Sequence, residues 1–143
     1  MKKTIALFTT LILSAAHSFA QIKITKISDK NKVHYIANVI GYPITGLYTY
    51  INQVEPTTTL NSDGTGIMQN EDLSKENIIW GIECSESGIP IFKEGFNSAS
   101  YTFWYKKNTP KSEQEEWNSQ SFSIHYDKKK IFISGERVKE YIE

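Results

Sequence analysis

One cysteine, Cys84, and three histidines are all that 143 residues offer of the usual metal-binding side chains. A single thiol cannot close an internal disulfide, so an oxidising compartment would give this chain no covalent staple. His34 and His125, the histidines beyond residue 20, are distant in sequence from each other and from Cys84, without the close spacing that zinc sites show. No metal ligands or cofactor-binding residues are expected. Charge of one sign is also lacking, since 16 Lys and Arg face 16 Asp and Glu. That balance removes both the basic field that recruits nucleic acid and the acidic excess that keeps a chain unfolded. No apolar run reaches the roughly 20 residues of a membrane-spanning helix, and there is no internal repeat, low-complexity tract or linker.

The first twenty residues are written differently from the rest. Met1-Lys2-Lys3 supplies a positive start, Ile5 to Ala16 an apolar stretch, and Ser18-Phe19-Ala20 small residues around a cleavage point. This is the pattern of a cleavable signal peptide, with cleavage expected after Ala20. No cysteine follows the apolar stretch, which excludes a lipid-anchored type. The expected organisation is a signal peptide at 1–20 and one domain at 21–143, exported to the periplasm or the medium. The mature chain is long enough for one hydrophobic core without metals or staples.

Beyond Gln21 the apolar residues recur with period two, in runs rich in Ile, Val, Thr, Tyr, Phe and Trp. Strands are expected at 22–28, 33–40, 47–53, 57–61, 65–69, 78–84, 89–93, 100–106, 120–126 and 130–134, with a last strand possible near 136–141, where Val138 and Tyr141 could point inward. Thr109 to Trp117 carries Pro110 and a Ser112/Glu115 capping-box spacing, so it reads as a short helix or a loop. The polar stretch 70–77 carries no signal of its own. About ten short antiparallel strands must hide their edges, and the expected fold is all-β: a single antiparallel barrel, with a β-sandwich as second choice.

Turn chemistry suggests three registers. Asp63-Gly64 as a two-residue type I′ turn sets Leu60 opposite Ile67. A turn at 127–130 sets Tyr126 opposite Ile131, Ile124 opposite Ile133 and Phe122 opposite Gly135. A four-residue loop at 85–88 sets Cys84 opposite Ile89 and Ile82 opposite Ile91. Strand parity puts Phe122, Ile124 and Tyr126 on a core face with His125 outside, and Ile78, Trp80, Ile82 and Cys84 together inside. Tyr101, Phe103 and Tyr105 share one face while Trp104 takes the other, so that strand is covered on both sides or faces a ligand.

The run Leu60-Asn61-Ser62-Asp63-Gly64-Thr65-Gly66-Ile67, followed by Ile78-Ile79-Trp80-Gly81-Ile82, resembles the strand, DGTG turn, strand, Trp-strand pattern of small secreted bacterial lipocalin-like domains. Gly46-Leu47-Tyr48 stands where that family often has Gly-x-Trp. The motif covers residues 46–92, and strand rhythm extends the likeness over the rest. The resemblance implies a lipocalin-like barrel.

Catalytic constellations are not apparent. Parity separates Cys84 from His125, and Glu113, Glu115 and Glu116 sit in a solvated stretch rather than as a converging carboxylate pair. The Asp63-Gly64-Thr65-Gly66 run lacks the alternating oxygen ligands of a calcium loop and opens no helix that would cradle a phosphate. Lys128-Lys129-Lys130 reads as solvated turn surface. An enzyme is not expected. The unusual feature is aromatic content: of 18 rings only Phe8 and Phe19 fall in the leader. Trp80, Tyr101, Trp104, Tyr105 and Tyr48 are the candidate ligand-binding residues. Two readings follow: a barrel that holds a small apolar or aromatic ligand, or a solid barrel whose loops and exposed rings dock on another envelope or secreted protein.

Overall fold

The computed structural model describes residues 22–50, 53–133 and 136–142. The expected signal peptide, and the parts of the expected pairings and strands that fall on Ile51, Asn52, Ser134 and Gly135, lie outside the described residues.

Eleven antiparallel strands form one curled sheet: β1 (Ile24–Asp29), β2 (Lys32–Ala37), β3 (Gly46–Tyr50), β4 (Thr58–Leu60), β5 (Thr65–Gln69), β6 (Lys75–Cys84), β7 (Phe92–Gly95), β8 (Ser98–Lys107), β9 (Asn118–His125), β10 (Lys130–Ile133) and β11 (Glu136–Ile142). Neighbours run β6-β5-β4-β3-β11-β10-β9-β8, and β8 pairs back onto β6. Eight strands thus follow one another up and down in a ring, which gives the all-β, barrel-like architecture the dyad pattern implied. The 109–117 stretch is a loop with one 3-10 turn at Ser112–Gln114, whose N-cap is Lys111 without a side-chain cap.

β6 and β8, each of ten residues, organise the sheet by dividing their edges. One edge of β6 pairs with β5 over Lys75 to Ile79 and with β2 over Ile82 to Cys84. Along β8, Phe103 to Lys107 pair with β6, but Ser98 to Tyr101 pair with β7. The sheet forks there: β6 leaves with the β1–β2 hairpin, and β7 takes its place.

Period-two alternation builds two cores on opposite faces. Inside the ring lie Tyr48, Leu60, Ile78, Trp80, Ile82, Ala99, Tyr101, Phe103, Phe122, Ile124, Ile131 and Ile133. At the fork, on the outer face, Ile27, Ile36 and Trp104 form a second cluster with Trp117 against it. Gly81 permits this close approach, because a Cβ there would stand 2.8 Å from Ile36.

The turns differ from the sequence-based expectation, and backbone conformation explains why. A type I′ turn needs two positive-φ residues. That pair is Lys30-Asn31, between β1 and β2. At 61–65 only Gly64 has positive φ, and Asn61 N–H donates to Thr65 O, so the loop has three residues. Leu60 therefore pairs with Gly66 rather than Ile67, and Thr59 with Ile67. Leu60 is 1% exposed and Ile67 38%, on opposite faces of the hairpin. The expected Leu60–Ile67 pairing is overturned: in β5 the inward residues are Gly66 and Met68. Gly66 is favoured there because a Cβ would run into the Thr59 carbonyl oxygen, with Ile78 and Trp80 also close at 3.2 and 3.4 Å.

The same three-residue geometry recurs at 85–89, where Gly88 carries the positive φ and Cys84 pairs with Pro90 rather than Ile89. At 126–129 the loop has four residues, so Ile124 pairs with Ile131 and Phe122 with Ile133, two residues from the expected register but with parity kept. Tyr126 falls in that loop and is exposed instead of lying in the core.

A third such turn spans 70–74 and repeats the first in detail. Asn61 Nδ2 donates to Thr65 Oγ1 and Asn70 Nδ2 to Ser74 Oγ, both at 3.0 Å. Asp63 accepts from Thr65 N and Oγ1, and Asp72 from Ser74 N and Oγ. Leu73 occupies the position where the first turn has glycine, at φ 67° and 73% exposed.

Two outcomes follow. Leu73→Gly relieves a left-handed leucine and raises unfolding stability by about 1 kcal/mol in urea titrations, against a small entropic loss; an unchanged or lower midpoint contradicts the strain. The Thr65 and Ser74 hydrogen bonds hold the carboxyls of Asp63 and Asp72 below the ordinary aspartate value. Their contribution to stability is therefore complete above about pH 4 and disappears as pH falls through the lower folded values. By NMR titration, Thr65→Val should return the Asp63 midpoint upward and leave Asp72 unmoved.

Candidate functional site

The sequence-predicted aromatic residues divide between the two cores. Trp80, Tyr101 and Tyr48 are buried inside the ring, with Tyr105 half-buried against the same cluster. Each is engaged by its own chain. Trp80 Nε1 donates to Thr65 O at 2.8 Å, Gln120 Nε2 donates to Tyr105 Oη at 3.2 Å, and Tyr48 Oη donates to Ile44 O. Trp80 stacks on Phe103 at 6.1 Å, Phe103 on Phe122 at 6.1 Å, and Phe122 meets Tyr48 edge-on at 6.4 Å. Since β9 and β3 stand three strands apart around the ring, that last contact crosses the interior. Burial raises the hydroxyl pKa of Tyr101, with the neighbouring Tyr126 adding to it, and burial likewise raises that of Tyr105.

Trp104 is not brought to the others. It faces outward as its parity required, yet it is only 5% exposed, beneath β2 and Trp117. Its ring lies 4.7 Å from His34, and its Nε1 donates to Glu83 Oε2 at 3.4 Å. His34 Nδ1 lies 2.7 Å from Glu83 Oε1. These contacts fasten the β1–β2 hairpin onto β6. Cys84 sits on the inner face, buried, and burial raises its thiol pKa. His34 and Cys84 thus lie on opposite faces of the sheet. Among the described residues no three His, Cys, Asp or Glu side chains converge as metal ligands.

The feature that parity did not reveal is the flap at residues 89–96. Ile89, Ile91, Phe92 and Phe96 are all exposed, Phe96 at 97% on the tip of the β7–β8 turn. β7 ends the order of strands, with β8 as its neighbour on one side. A groove of about 450 Å³ lies on its outer face, walled by Ile91 and Lys93 and floored by Ser100, Thr102, Ser119 and Ser121. A second, of about 270 Å³, lies on the other face beside Phe92, Glu94, Ala99 and Tyr126. Tyr101 packs against Phe92 on the inner face, with ring centres 5.2 Å apart, so of the expected site residues it alone meets the flap in the described geometry.

A signal for the flap was present in the sequence. Ile89-Pro90-Ile91-Phe92 is apolar without alternation, and proline inside a strand run marks an edge. Phe96, between Gly95 and Asn97, occupies a turn position where polar residues are usual. The fold and this surface define a barrel-like all-β protein in which β7, like β1 at the other end of the strand order, has one edge unpaired among the described residues. No protein-family model, curated protein or solved structure matches the chain. Among the described residues, no helix is long and apolar enough to cross a membrane.

Proposed function

We propose that this is an exported, non-catalytic binding protein of lipocalin-like barrel type that acts by docking its flap, residues 89–96, on another envelope or secreted protein. The observation that carries the reading is the exposure of Ile89, Ile91, Phe92 and Phe96 around a strand that, among the described residues, is paired on one side. Natural sheets blunt such edges with charge, proline or cover, because an open apolar edge is a template for another chain. β7 carries Lys93 and Glu94 and follows Pro90, which bars indiscriminate pairing, yet Ile89, Ile91, Phe92 and Phe96 stay exposed around it, which favours a specific partner that covers them. The contact of Tyr48 with Phe122 across the ring supports docking over enclosure of a small apolar or aromatic ligand, because rings expected to line a cavity pack on one another instead. Export rests on Met1-Lys2-Lys3, the apolar stretch and Ser18-Phe19-Ala20, and the up-and-down strand order supports the lipocalin-like barrel.

A photo-crosslinking residue placed at Phe96 in the producing cells should give one adduct of defined mass. The same residue at Lys30, in the β1–β2 turn, should give none, and Ile91→Asp should abolish the adduct. Titration of the purified protein with fatty acids, haem and aromatic metabolites should leave its Trp emission unchanged. Equal crosslinking at both positions, or a saturable change in Trp emission, contradicts the docking reading.

A further inference from the structure

We propose that β7 accepts one antiparallel strand from a different protein, with a basic residue opposite Glu94 and then an acidic residue opposite Lys93, and that these two charges bar a second copy of this chain. The proposal rests on the docking reading above and states the chemistry of the partner.

The phase of the hydrogen bonding comes from β8. Asn97 O accepts from Tyr126 N at 2.9 Å, so Asn97 bonds toward the β9 side, and alternation directs Ser98 and Ser100 toward β7. Their partners are Gly95 and Lys93. The N–H and C=O groups of Phe92 and Glu94 therefore point to the open side, two donors and two acceptors on one short edge. Such groups are what strand addition uses for affinity, while alternate side chains give specificity.

Side-chain direction then decides who can bind. Lys93 lies over the outer, hydroxyl-floored groove and Glu94 beside the inner, aromatic one. Among the described residues neither side chain takes part in a hydrogen bond or an ion pair. Their charges remain available to a newcomer.

A second copy fails on geometry. Directly opposed residues of an antiparallel pair point to the same face, and a two-fold axis normal to the sheet preserves the faces. Lys93 therefore cannot oppose Glu94 of the copy, since the two point to opposite faces. The registers that remain and pair three of the four residues of β7 are centred on Lys93 or on Glu94. One sets lysine against lysine and the other glutamate against glutamate, and like charges directly opposed destabilise the pair. A strand of another protein escapes this constraint, because its sequence need not repeat that of β7. An apolar residue following the acid would then oppose Phe92.

The probes are two blocked synthetic peptides, Thr-Val-Lys-Glu-Val-Thr and its charge-reversed form Thr-Val-Glu-Lys-Val-Thr, titrated into the isotope-labelled mature protein. The first should shift the backbone amides of Phe92 and Glu94 and bind about tenfold more tightly than the second, as two cross-strand charge pairs allow. The double substitution Lys93→Glu with Glu94→Lys should invert the preference. In sedimentation the wild type should stay monomeric, while Lys93→Thr with Glu94→Thr should self-associate through this edge. Equal affinities, or no shift at Phe92 and Glu94, overturn strand addition. Crosslinking at Phe96 is read separately, so its persistence alongside equal affinities would leave docking standing and remove only the strand-addition mode.

Discussion

The edge of one β-strand accepts one neighbour at each level, and the whole architecture turns on how β8 divides that capacity. Over Phe103 to Lys107 it is given to β6, which closes the ring. Over Ser98 to Tyr101 it is given to β7. Because β6 is displaced at that point, it carries Ile82 to Cys84 outward to pair with β2. The second core, with Trp104 beneath β2, and the unpaired side of β7 are therefore consequences of a single fork. A strand that closes the barrel along its full length would leave neither.

Ring packing inside the barrel and ring exposure at the flap are complementary. Aromatic rings bury large areas and prefer offset contacts with one another, and the Trp80, Phe103, Phe122 and Tyr48 series uses that preference to occupy the ring. With disulfide bonding excluded by a lone buried thiol, stability rests on this packing. Phe92 and Phe96 stay at the surface of the flap, Phe92 against Tyr101 and Phe96 at the turn.

Much of the fold was legible because period-two patterning reports which face is buried without needing to know what lies across it. Ile78, Trp80, Ile82 and Cys84 were assigned inward and are buried, and β5 was placed at its observed bounds. Register was less legible, because it depends on how many turn residues adopt positive φ. Asp-Gly fits both a two-residue and a three-residue loop, and the chain adopts the latter at Gly64 and Gly88. The outward direction of Trp104 followed from parity, but its cover by Ile36, Ile27 and Trp117 is set by long-range pairing that periodicity does not encode. The flap escaped because the four-residue loop expected at 85–88 set Ile89 and Ile91 opposite the inward Cys84 and Ile82, whereas the three-residue loop moves the register by one, Ile91 bonds to Glu83, and both isoleucines are exposed.

The central claim is that β7 is hydrogen-bonded on one side and open on the other. Amide hydrogen exchange of the free protein measures this most directly. The account predicts slow exchange at Lys93 and Gly95 and fast exchange at Phe92 and Glu94. Protection of Phe92 and Glu94 equal to that of the central β9 amides would contradict it.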